Sequence, residues 1–194
     1  MWSLREVSSR RKAFTIIEFL LGIAIISILL SSIYSLIFFT MNIKDRTDEI
    51  DLSLYKGRYA MEYIKKEILS ADKIVSSSKF KELDEIFPYN IGFVTVAKER
   101  DYDTDGRIRA VNYNYRTYYQ KDNELIRIAY NSPKDSLYDG RLFTGYNQVI
   151  TGLKALDRSS LNEDGYIRIS FQLDEENNLL IFNSHISIRC PVEF

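Results

Sequence analysis

Cysteine is all but missing from this chain of 194 residues, in which Cys190 stands alone. A single thiol forms no intrachain disulfide and no cysteine-rich metal centre, so the fold must be held by packing. Read as a small hydrophobe, Cys190 belongs in a buried position near the end of the sequence, the alternative being pairing between chains. Histidine is as scarce, with His185 the one example. No second histidine exists for a metal site, and there is no Ser-His-Asp set, no glycine-rich phosphate loop and no cysteine-histidine cluster, so the chain reads as a non-enzyme. The formal net charge of −1 also leaves no bulk positive field of the kind that nucleic-acid binding needs.

Hydrophobic residues make up 45% of the chain and charged residues 27%, the balance of a folding chain with room for one domain and an anchor. From Phe19 to Met41 there is no charged residue. As a helix rising about 1.5 Å per residue this run reaches roughly 35 Å, enough to cross the hydrocarbon core. Arg5, Arg10, Arg11 and Lys12 precede it against Glu6 alone, while the mixed Lys44-Asp45-Arg46 follows. The excess of Lys and Arg places the N-terminus in the cytoplasm and the remainder outside. A secretory signal peptide would end in a small-x-small cleavage site, but here the apolar run continues past Ser31 and Ser32. Glu18 breaks the pattern at the mouth of the run. A carboxylate in a membrane helix costs about 2.5–3.5 kcal/mol at the bilayer centre, less near the interface, and calls for a partner.

The run Arg10-Arg11-Lys12-Ala13-Phe14-Thr15-Ile16-Ile17-Glu18 resembles the class III signal of type IV prepilins and type II secretion pseudopilins. The resemblance implies cleavage by a prepilin peptidase between Ala13 and Phe14, then N-methylation of Phe14. It implies that Glu18 forms an assembly salt bridge with the N-terminal amine of a neighbouring subunit. It also implies an inner-membrane assembly platform and other pilin or pseudopilin subunits as partners. Two positions depart from the family pattern: Ala13 stands where Gly is usual, and Ser35 lies where major pilins often carry a helix-breaking proline.

Beyond the membrane, Ile50, Leu54, Gly57, Met61, Ile64, Ile68, Ala71 and Val75 recur at alternating spacings of four and three, the stripe of an amphipathic helix. One helix is expected from about Phe14 to Val75, ended by Ser76-Ser77-Ser78. From Ile91 onward the period is two, predicting strands near 91–98, 107–119, 124–130, 147–156, 165–173 and 179–189. The fold class expected is α+β, a long N-terminal helix packed on an antiparallel sheet, as in pilins. Its parts are a cleaved leader (1–13), a membrane and filament-core helix (14–42), an amphipathic continuation (43–78) and an extracytoplasmic β-rich head (79–194). The order of elements resembles that of minor, J-type pseudopilins and competence minor pilins.

Two patterns in the head invite ligands. Asp101, Asp103 and Asp105 before Gly106 resemble the start of a calcium loop, although Asn112 stands where a bidentate Glu is expected and Arg107 and Arg109 compete for the carboxylates; the alternative is a polar turn. Tyr113, Tyr115, Tyr118 and Tyr119 with Arg109, Arg116, Lys121 and Arg127 suit stacking on single-stranded nucleic acid or glycan, or simply a solvated sheet. His185 is expected on the solvent face of its strand. The leading reading is a structural subunit of a type IV pilus, type II secretion pseudopilus or competence filament. The alternative is an unprocessed single-pass membrane protein whose extracytoplasmic head binds calcium, glycan or DNA.

Overall fold

The structure is a computed structural model that describes residues 15–159, 165–175 and 178–194. It divides into two units, Met1–Asp48 and Glu49–Phe194. The first helix, α1, runs through Ile16–Leu69.

In the first unit the aliphatic side chains of α1 are exposed, as suits a helix whose solvent is lipid, and the helix is long and apolar enough to cross a membrane. Its hydroxyls are turned inward on the backbone. Ser27 donates to the carbonyl of Ile23 at 2.8 Å, Ser32 to Ile28 at 2.9 Å and Thr40 to Leu36 at 2.8 Å. In hydrocarbon this removes the cost of an unpaired polar group.

In the second unit α1 buries Ser53, Gly57, Ala60, Met61, Ile64, Glu67 and Ile68. The rest of the unit comprises β1 (Lys73–Ser76), a short helix α2 (Leu83–Ile86), β2 (Phe93–Tyr102), β3 (Ile108–Lys121), β4 (Glu124–Ser132), β5 (Asn147–Thr151), β6 (Leu153–Leu156), β7 (Tyr166–Glu175), β8 (Asn178–Ser187) and β9 (Val192–Glu193). A six-stranded sheet has the order β5-β4-β3-β2-β1-β9, and a three-stranded sheet the order β6-β7-β8. All pairings are antiparallel except that of β1 with β9. The α+β, pilin-like architecture is therefore present.

Strand alternation sorts the large sheet into two buried faces. Ile74, Phe93, Tyr118 and Leu125 join α1 and the inward residues Ile167, Ile169, Phe171 and Leu173 of β7 in one core. Their neighbours Val75, Val94, Val96, Tyr115, Ile126 and Ile128 form a second core on the opposite face with Phe80, Leu83 and Phe143. There Tyr115 and Tyr130 stack with ring centres 4.5 Å apart, and Phe143 meets Tyr130 edge-on at 4.7 Å.

Three expectations need correction. The helix ends at Leu69, before Ala71 and Val75, because Ile74 and Val75 are both fully buried on opposite faces, which only an extended chain provides. Asp72 assists this change of state by accepting a hydrogen bond from the Lys98 amide at 2.7 Å. The strand expected at 147–156 is two strands in different sheets. Gly152, at φ +81°, turns the chain between them, a conformation that other residues adopt at a cost. At the other end of the stripe, Ile50 is exposed; the buried face begins at Ser53.

An ionic cluster fixes helix to sheet. Glu67, buried on α1, accepts hydrogen bonds from the Tyr118 hydroxyl and from Nε of Arg127 at 2.8 Å, with Arg116 at 3.7 Å. Burial, reinforced by the Glu67 charge, pushes the Tyr118 hydroxyl well above its ordinary pKa. Burial works against the charge on Arg127, but Glu67 overrides it and raises that pKa. Across the sheet, Lys73 of β1 binds Asp135 at 2.8 Å, Tyr138 at 2.9 Å and Glu193 of β9 at 3.1 Å.

Replacing Glu67 by Ala leaves Arg127 and Tyr118 without their acceptor and is expected to destabilise the head by about 3 kcal/mol, read as a lower denaturant midpoint at unchanged slope. Gly140→Ala would place a Cβ 2.5–2.6 Å from the backbone of Leu83; forcing α2 away is expected to cost about 1–3 kcal/mol by the same measurement.

Candidate functional site

The sequence Thr15-Ile16-Ile17-Glu18 opens α1 as a capping box. Thr15 precedes the first helical residue and Glu18 is the third within the helix. The Glu18 amide donates to Oγ1 of Thr15 at 3.3 Å, and Oε2 of Glu18 accepts from both the Thr15 amide and the Thr15 hydroxyl at 3.0 Å. The carboxylate is thereby held over the amino end of α1, where unpaired N–H groups and the helix dipole favour negative charge. It is exposed in the single chain. Chemically, this is a fixed anion at the entrance of an apolar helix, able to receive one further cation.

Among the described residues the helix starts at Ile16. Ala13 and Phe14, the expected cleavage and methylation positions, lie outside the described residues. Thr15 as a cap is missed by sequence reasoning, although Ser or Thr followed three residues later by Glu, ahead of an apolar run, is a helix-start signature. So is Glu67, whose signal is an acid set on the apolar stripe between Ile64 and Ile68.

In the head, β2 runs on to Tyr102, so Asp101 is a strand residue opposite Ala110, while Asp103 and Asp105 lie in the turn. Oδ1 of Asp103 accepts from the amides of Asp105 at 3.0 Å and Arg107 at 2.8 Å, and Gly106 has φ +74°. The carboxylate of Asp103 thus serves the turn, and among the described residues no three Asp, Glu, His or Cys side chains converge as a metal site.

Of the tyrosines considered for stacking, Tyr115 and Tyr118 are core residues with no exposed surface, and Tyr113 and Tyr119 are half-buried. Arg116 and Arg127 are drawn to Glu67. Tyr115, Tyr118, Arg116 and Arg127 hold the fold and do not form a stacking platform. His185 is exposed, and Cys190 is half-buried against the core, its thiol pushed above the ordinary range by burial.

A family model, the prokaryotic N-terminal methylation motif, matches residues 8–34, the basic leader, the capping box and the first half of the apolar run. No curated protein and no solved structure matches the chain. That motif marks a substrate of prepilin peptidase and a structural subunit in place of an enzyme. Among the described residues it lies at the start of one long apolar helix, which is followed in the chain by a β-rich head. Over that N-terminal segment the chain is similar to type IV prepilins and pseudopilins, which supports placing it in that family.

Proposed function

We propose that this chain is a minor pilin or pseudopilin, cut between Ala13 and Phe14, N-methylated at Phe14, stored in the cytoplasmic membrane with its head outside, and then drawn into a filament. The observation that carries this reading is the methylation motif over residues 8–34, with Glu18 fixed at the first turn of an apolar helix. Once Phe14 is the first residue, its ammonium lies next to Thr15, and Glu18 of an adjacent subunit supplies the counter-charge. In an apolar filament core both charges need that partner, and deleting one member of such a pair costs about 3–5 kcal/mol. The pairing sets the register between neighbouring helices. The lack of proline in α1 fits a minor pilin or pseudopilin, a class in which the position of Ser35 varies.

The machine is a type IV pilus, a type II secretion pseudopilus or a competence filament, served by an inner-membrane assembly platform. An unprocessed single-pass receptor would share the apolar helix but would need neither Ala13-Phe14 nor Glu18.

Intact mass and N-terminal sequencing of membrane-extracted protein test the processing step. A chain beginning at N-methylated Phe14 only in cells with active prepilin peptidase is expected; a chain beginning at Met1 in both cases refutes the reading. For assembly, Glu18→Ala is expected to lower recovery in sheared filaments by at least about tenfold, the loss that 1.4 kcal/mol produces, with the membrane level unchanged. Thr15→Val removes the local hydroxyl yet keeps the acid, and is expected to fall between wild type and Glu18→Ala.

A further inference from the structure

After β8 the hold on the chain weakens. Ile186 is buried and the Ile188 amide donates to the Gly165 carbonyl at 2.8 Å, so the chain is anchored up to that point. From Arg189, which is exposed, it leaves the small sheet for the edge of the large one, where Val192 and Glu193 form β9. No residue from 190 to 194 is buried: Cys190, Val192 and Glu193 are half-buried, and Pro191 and Phe194 are exposed. Backbone pairing adds little. β9 meets β1 at two positions, Ile74 with Val192 and Val75 with Glu193, in parallel, the weaker pairing per residue, and the Pro191 carbonyl accepts from the Ile74 amide at 3.0 Å. β1 itself pairs with β2 at four positions, and Ile74 and Val75 are buried in the two cores, so β1 is held without β9.

The polar hold is concentrated on Glu193. Its carboxylate accepts from the Tyr138 hydroxyl at 2.8 Å and from the Lys73 ammonium at 3.1 Å, with Lys79 at 4.0 Å. Lys73 does not depend on Glu193 in return. With that carboxylate withdrawn it keeps Asp135 at 2.8 Å and Tyr138 at 2.9 Å. Release of Glu193 therefore strands no buried charge, and the penalty that guards a buried ion pair is absent.

We propose that residues 190–194 are a strap latched by Glu193, which opens while the rest of the head stays folded and so uncovers both the outer edge of β1 and the thiol of Cys190. Segments with little buried apolar surface and few backbone bonds open far more readily than the fold as a whole. The hinge is Arg189, between the anchored Ile188 and the half-buried Cys190. Closed, β9 occupies the β1 edge and prevents its pairing with another strand; open, the strap leaves the Ile74 amide without its acceptor.

Cys190, the sole cysteine, reports the opening directly through its rate of alkylation by iodoacetamide in the full-length, detergent-extracted chain. Expected is a native rate at least about tenfold below that of the urea-unfolded chain, and nearly independent of urea below the unfolding transition, since a local opening exposes little surface. Glu193→Gln keeps the shape but weakens the latch and should raise the rate about fivefold at the same pH, with the denaturant midpoint of the head unchanged. Hydrogen exchange of the Ile74 amide should quicken in the same variant, while β3 and β4 stay protected. A native rate equal to the unfolded one, a urea dependence matching global unfolding, a rate indifferent to Glu193→Gln, a midpoint that falls in step with the faster rate, or faster alkylation without faster exchange at Ile74 would each overturn the proposal.

Discussion

One unbroken ladder of backbone hydrogen bonds, from Ile16 to Leu69, has to work in two solvents. In hydrocarbon a helix has no outside source of donors, so its start and its hydroxyls must be satisfied by the chain itself. Thr15 and Glu18 close the amino end, and Ser27, Ser32 and Thr40 fold back onto carbonyls one turn earlier. In the head the same ladder is packed against sheets, and the residues change accordingly. Gly57 and Ala60 allow close approach, Met61 and Ile64 fill the core, and Glu67 binds the sheet through Arg127 and Tyr118. The membrane half is specified by uniform apolarity, the head half by position.

That difference explains what could be read in advance. Uniform apolarity and the run from Arg10 to Glu18 are local, so the apolar helix and the family motif stand out from residues alone. Period-two strands also stood out, because Ile167, Ile169, Phe171 and Leu173 all face one core. The early end of α1 was hidden. Ile74 and Val75 fit a helical stripe as well as a strand, and only the pairing of β1 with β2 decides between them. The division at Gly152 was hidden for a similar reason: both β5 and β6 alternate, but their partners β4 and β7 belong to different sheets. The tyrosine-rich strand misled because a strand buried on both faces has no polar face to betray it. Tyr115 and Tyr118 point into opposite parts of the core.

With one cysteine in the chain, packing takes the place that disulfides hold in many small domains. Two apolar cores share one sheet, so both faces are covered where Phe93–Val96 of β2 lies beside Tyr115–Tyr118 of β3 and Leu125–Ile128 of β4, and each core is crossed by a polar tie. Glu67 ties α1 to β3 and β4, while Lys73 ties β1 to β9 and to Asp135. A buried ion pair is weak as a source of net stability but costly to misplace, which makes these ties better suited to selecting one arrangement than to strengthening it.

The parallel contact of β9 with β1, through Ile74 with Val192 and Val75 with Glu193, joins residues separated by nearly the whole head sequence. Contacts of that kind are slow to form, since the loop must close before they contribute. During biosynthesis the nascent chain delivers β1 soon after the anchor and β9 only after every other strand. The edge of β1 therefore stays open until synthesis reaches β9, and a chain cut short before Val192 would keep an uncapped β1 beside an otherwise assembled sheet.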